Sequence, residues 1–279
     1  MATASSALDR FHFQFYDRPG THWSAERITT LVTELRQCAS LCLDPIPDYQ
    51  CLSYSPSSLD DKMIAIARLG SSTGPIVAFY SSVILDVPSL ETPGTTIQVL
   101  HTGLSCIVPD ARSFGLTIVL CAHTYLHMIE TYHPSGFWYT GLSELPSALV
   151  TLAKYGHDPF PSPTNSSTPS PMHLHIARSI ANTSQLRDKL LISPDSVFDE
   201  TSFVFKGSNP PDSCFRKDSD EEKWHHRDKA SSIFYRKLLG VNEGNEVLVV
   251  GYILPSTILE PLKKESRLRG VSERLKNKL

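Results

Sequence analysis

No stretch of this chain approaches the roughly 20 consecutive apolar residues that a membrane-spanning helix needs. The first twenty residues also lack a basic segment leading into an apolar one, because Asp9, Arg10, Asp17 and Arg18 interrupt any such run. The expected protein is therefore soluble and cytoplasmic, with no membrane partner. Excess positive charge is missing too. Twenty-six lysines and arginines against 29 acidic residues leave a formal charge of −3, and the pI is near 6.4. Nucleic acids select clustered positive charge, so they are not expected partners. The one basic concentration comprises Lys263, Lys264, Arg267, Arg269, Arg274, Lys276 and Lys278, and reads as a solvated terminal helix. There is no internal repeat. The absence of a G-x-S-x-G elbow and of a Walker loop argues against esterase and nucleotide-hydrolase chemistry.

Metal-binding patterns are equally sparse. Cys38 and Cys42 lie four apart, but no compact partner pair follows among Cys51, Cys106, Cys121 and Cys214. His123 and His127 share a helical face at the spacing of metal-binding pairs, yet the glutamate that usually intervenes is absent. No metal is expected. Asn165 and Asn182 fit the glycosylation pattern, which means little without a secretory signal.

What is present is alternation of strand and helix patterns. Ala25, Ile28, Leu31, Val32, Leu35 and Cys38 recur at helical spacing behind Ser24, predicting a helix over 24–39. Residues 62–70 and 75–85 predict two strands, and 96–108 a third, with Gly103 marking a bulge or a close backbone approach. A helix is expected from Gly115 to about Tyr132, a short aromatic strand at Phe137–Thr140, and a helix from Pro146 to Gly156. Five prolines in 159–172 favour a loop. Beyond it, helices at 173–192 and 225–239 and strands at 202–206 and 247–254 complete a mixed α/β sheet flanked by helices. The expectation is one domain over 1–279, with 157–200 as an insertion or lid and 255–279 as a charged tail.

Between the third strand and its helix stands Pro109-Asp110-Ala111-Arg112-Ser113-Phe114-Gly115-Leu116-Thr117. Backbone N–H groups opening a helix have no intrahelical acceptor, and with the helix dipole they can hold phosphate oxygens. Gly115 permits a close approach and Arg112 adds charge-assisted hydrogen bonds. The run Val108-Pro109-x-x-Arg112-x-x-Gly115-Leu116-Thr117, followed by a long helix, resembles the acyl-CoA-binding motif of the GCN5-related N-acetyltransferase superfamily. The flanking elements extend the resemblance to about half the chain. It implies an acetyltransferase-like α/β (α+β) fold, a splayed strand pair that takes the pantetheine, and a turn that binds the pyrophosphate. Val108, Arg112, Ser113, Phe114, Gly115, Leu116 and Thr117 are then the cofactor-binding residues, with acetyl-CoA or another acyl-CoA as cofactor. The chain departs from the family pattern at Thr117, in place of a small residue, and at Leu152, in place of a tyrosine.

Acyl transfer from a thioester needs a base for the acceptor, a donor for the oxyanion and an acid for the thiol. His101 on the strand before the motif is the expected base, because an ordinary imidazole titrates near neutrality. Tyr139 and Glu144 are the expected orienting or proton-relaying groups. The expected activity is acyl transfer from CoA to an amine or hydroxyl of a small molecule or peptide, by a monomer or homodimer. Two alternatives stand beside it. One is a repurposed fold catalysing cyclisation, isomerisation or dehydration without acetyl-CoA; the other is a non-catalytic binding or scaffolding protein.

Overall fold

The computed structural model describes residues 7–164, 168–241 and 244–258. The expected basic helix at 263–278 and the Asn165 glycosylation pattern lie outside the described residues. Among the described residues, nine strands and six α-helices form a mixed, mostly antiparallel α/β sheet with flanking helices, as expected. The chain divides into two compact units. One comprises Met1–Ile84, Gly103–Gly136 and Leu254–Leu279; the other comprises Leu85–Thr102 and Phe137–Ile253.

In the first unit, β1 (Phe11–Asp17) pairs antiparallel with β2 (Lys62–Leu69), and β2 pairs with β3 (Ile76–Pro88). Strand β1 was not foreseen, although Phe11, Phe13 and Phe15 alternate with polar neighbours across it. Helix α1 (Ala25–Ser40) starts where Ser24 Oγ accepts the Arg27 amide, and it buries Ile28, Leu31, Val32, Leu35 and Cys38. Arg68 on β2 grips Glu34 of α1 with both guanidinium nitrogens, at 2.8 and 2.6 Å. Strand β4 (Thr96–Ile107) ends in this unit. A Cβ at its Gly103 would lie 2.7 Å from both Ser81 O and Gln50 Nε2, so the glycine marks a close approach. Helix α2 (Leu116–His127) packs on β1 and β2. Its α-helical hydrogen bonding stops earlier than expected, and a π-helical turn, Met128–Tyr132, takes over.

In the second unit the beginning of β4 runs parallel to β5 (Phe137–Ser143), Val99 opposite Trp138 and Thr102 opposite Gly141. Strand β9 (Glu246–Ile253) lies antiparallel to β5, from Phe137 opposite Ile253 to Ser143 opposite Val247. Its nearly unbroken apolar run suits a central position, with β8 (Val204–Lys206) and then β7 (Val197–Asp199) beyond it. Helices α3 (Pro146–Lys154) and α6 (Lys229–Leu239) cover β9, where Leu149, Val150, Ala153, Tyr235, Leu239, Val247 and Val249 form one core cluster. Each such large side chain contributes roughly 1.5–3 kcal/mol by leaving water.

The 157–200 segment carries more regular structure than its prolines suggest. His157–Phe160 forms β6, which pairs with β9. The helix expected over 173–192 is two helices, α4 (Pro171–Asn182) and α5 (Ser184–Lys189), separated by an extended Thr183. Ser170 and His173 close the start of α4 reciprocally as a capping box.

Candidate functional site

The expected cofactor residues all belong to the first unit. After β4, Val108 passes into a 3-10 segment, Pro109–Phe114, which sequence reasoning did not anticipate. Gly115 then takes a left-handed conformation, φ 71° and ψ 26°, and α2 opens. A side chain at that φ is strained, so glycine is the residue that makes this exit. No side chain caps α2, and its first turn carries no acidic residue, which leaves the positive end of the helix dipole uncompensated by side chains.

The seven residues divide by what their side chains do. Val108 and Leu116 are buried, and the Val108 amide donates to Val77 O at 3.0 Å. Phe114 folds onto β1, edge-on to Phe11 at 5.3 Å between ring centres and under the Arg10 guanidinium. These three shape the turn. Arg112 and Ser113 are exposed, and Gly115 and Thr117 are half-buried. Arg112 Nε donates to Ile107 O at 3.3 Å. Cys42 Sγ donates to the same carbonyl at 3.3 Å, and it accepts a hydrogen bond from the Cys106 thiol. The Cys106 contact and the Arg112 charge, against the opposing effect of burial, hold the Cys42 thiol down to about 7. The four-residue spacing from Cys38 is the only sequence signal at this thiol, and without a partner pair it carries no reading of its chemistry. Among the described residues no group of three or more His, Cys, Asp or Glu is placed to hold a metal ion.

The expected proton-transfer residues all belong to the second unit. His101 is buried on β4, its Nδ1 3.0 Å from Thr140 Oγ1 on β5. Burial pushes its pKa down to about 3, so the imidazole is neutral at pH 7. Tyr139 is fully buried and its hydroxyl donates to Leu152 O at 2.7 Å. Gly156 and Gly251 border its ring: a Cβ on either would come within 2.1 and 2.7 Å of Tyr139 atoms. Glu144 is buried at the end of β5. One carboxylate oxygen accepts the Gly244 amide, and the other accepts the Lys217 amide at 3.2 Å and Asn209 Nδ2 at 3.4 Å. Burial raises its pKa and these bonds oppose the rise. Neighbouring Glu246 accepts from Ser208 Oγ at 2.6 Å, and burial pushes its carboxyl up to about 7.

One further polar cluster joins β1 to the end of α2. Asp17 Oδ2 accepts from Tyr132 Oη and faces His127 Nε2 at 3.1 Å, while Arg18 bonds the same tyrosine hydroxyl. The His123 ring lies against Phe13, 5.9 Å away. The two histidines that shared a helical face in sequence thus serve different neighbours on β1.

No protein-family model matches the chain, and no curated protein sequence matches it. Several solved structures are similar to part of it. An aminoglycoside acetyltransferase from an uncultured soil metagenomic sample, in complex with sisomicin, aligns with 44% of this chain and 73% of its own at 13% identity and a TM-score of 0.30. Arabidopsis thaliana NAA60 in complex with acetyl-CoA aligns with 47% of this chain and 74% of its own, at 10% identity and a TM-score of 0.33. An Escherichia coli GNAT family N-acetyltransferase in complex with CoA aligns with 51% of this chain and 67% of its own, at 16% identity and a TM-score of 0.28.

Proposed function

We propose that the chain is an acyltransferase that takes an acyl group from acyl-CoA and passes it to an amine or hydroxyl of a small molecule or peptide. The observation that supports this most directly is the start of α2. Gly115 turns the chain out of the 3-10 segment, the helix opens without a side-chain cap or an acid, and Arg112 stands exposed in the same turn. That donor set suits the pyrophosphate of CoA, because amides and a guanidinium both address phosphate oxygens. Phe114 is held on Phe11. Arg112, Ser113, Gly115 and Thr117 would hold the group through guanidinium, hydroxyls and amides. Val108, Phe114 and Leu116 would keep the turn in shape.

When bound, acyl-CoA supplies an activated acyl thioester. His101 is the proposed base: burial keeps its imidazole neutral, and Thr140 fixes the ring. Glu144 and Tyr139 are proposed as positioning residues, Glu144 through the backbone it gathers at Lys217 and Gly244. A second reading, a repurposed or purely binding protein, is favoured by one observation. Tyr139 and Glu144 already have their polar atoms engaged by protein groups.

Titration calorimetry of the full chain with acetyl-CoA and longer acyl-CoAs tests the proposal. Saturable binding is expected, and no heat at about 1 mM ligand would sink it. Release of CoA thiol in the presence of amine acceptors separates transfer from binding alone.

A further inference from the structure

Four of the six cysteines neighbour one another in the first unit: Cys38 in α1, Cys42 just after it, Cys51 in a 3-10 turn and Cys106 on β4. All six are free thiols. Burial pushes Cys38 and Cys51 up to about 12, so both keep their protons and stay unreactive. Cys42 differs in three respects. It is only half-buried, its sulfur shares the Ile107 carbonyl with Arg112, and it is hydrogen-bonded to Cys106. Cys106 is 2% exposed, and its contact with Cys42 and its burial both raise its pKa. An accessible thiol with a depressed pKa beside a shielded, protonated one is the arrangement of an attacking and a resolving cysteine.

We propose that Cys42 and Cys106 form a reversible disulfide, using a low-molecular-weight disulfide such as oxidised glutathione as the oxidant. The Cys42 thiolate attacks one sulfur of the oxidant, the oxidant's S–S bond breaks, and one glutathione thiolate leaves and takes up a proton. Cys106 then gives its proton to solvent and attacks the Cys42 sulfur, expelling the second glutathione. Two protein thiols are oxidised by two electrons, and one disulfide is reduced to two thiols. The bridge ties the chain after α1 to β4 two residues before Val108. It also removes the thiol donor from the Ile107 carbonyl, leaving that oxygen to Arg112. The proposal is independent of any acyl-CoA chemistry.

The test treats the full-length protein with oxidised glutathione and maps its peptides by mass spectrometry without reduction. The expected result is a Cys42–Cys106 linked peptide, reversed by dithiothreitol, and a thiol count that falls by two from six. Cys106→Ser should instead accumulate a glutathione adduct on Cys42, and Cys42→Ser should leave Cys106 unmodified. Alkylation rates on the wild-type protein keep the test valid if a variant does not fold. Cys42 labelling should rise with a midpoint near 7. A stable adduct on wild-type Cys42 with no bridge would overturn the proposal, as would labelling of Cys121 or Cys214 ahead of Cys42.

Discussion

His127 Nε2 and Asp17 Oδ2 meet at 3.1 Å, joining the last turn of α2 to the end of β1. Burial alone would raise the Asp17 pKa, but hydrogen bonds from His127 and Tyr132 bring it down to about 2. A folded-state pKa below the unfolded one stabilises the protein above the unfolded value, near 3.9, and that contribution is lost as pH falls toward 2. Asp17→Asn should cost on the order of 2 kcal/mol at pH 7 and far less at pH 2. Urea denaturation of both proteins at the two pH values measures the difference.

His101 gives a second pH signature with the same sign. Its folded pKa, about 3, lies below the ordinary histidine value, so the unfolded chain binds a proton first as pH drops. Stability from this group is intact above about 6.5 and declines from there toward 3. His101→Gln should flatten the stability profile in that window, as followed by thermal unfolding. If His101 acts as the base, the same variant lowers kcat, and no wild-type limb near pH 6.5 arises from it.

Arg112→Ala should weaken acyl-CoA binding roughly tenfold, with Arg112→Lys recovering part of the loss. Gly115→Ala should destabilise the fold by about 1 kcal/mol, because a Cβ strains the left-handed exit into α2. Calorimetry and thermal unfolding separate the two effects.

Cys42 and Arg112 compete in charge as well as for a carbonyl. As pH rises through about 7, the Cys42 thiolate becomes an anionic partner for the guanidinium. Acyl-CoA affinity should therefore fall between pH 6 and pH 8 in the wild type and change less in Cys42→Ser. Equal slopes in the two proteins would remove the competition.

Gly156→Ala should cost about 1–3 kcal/mol by forcing Tyr139 off its packing. Its Cβ would lie 2.1 Å from the Tyr139 hydroxyl, which is held on Leu152 O. Tyr139→Phe removes the donor and leaves that carbonyl short of a partner, at roughly 1–2 kcal/mol. Chemical denaturation checks both.

Local patterns carried much of the fold. The apolar face of α1, the Ser24 cap, the Gly115 helix start and the apolar run of β9 are all visible from neighbours a few residues apart. Strand β1 is equally periodic in Phe11, Phe13 and Phe15, but it is short and does not enter the sequence reading. The 3-10 segment before Gly115 and the break at Thr183 depend on backbone geometry that no side-chain period reports. The site was harder still. Nothing near His101 announces Thr140 opposite it, and nothing near Cys42 announces Arg112. Both pairings arise only when distant segments come together, and burial then sets the chemistry: His101, placed as an ordinary base by its type, is held neutral by its surroundings.

Strand β9 imposes an order on assembly. It is the last strand among the described residues yet lies between β5 and β8, and Glu144 reaches Gly244 across 100 residues of sequence. During synthesis, β5 and β8 leave the ribosome with their facing edges unpaired and wait for their shared partner. Contacts of such separation slow folding and expose open edges meanwhile. A chain stopped before residue 246 would keep those edges permanently, and its fate would be aggregation.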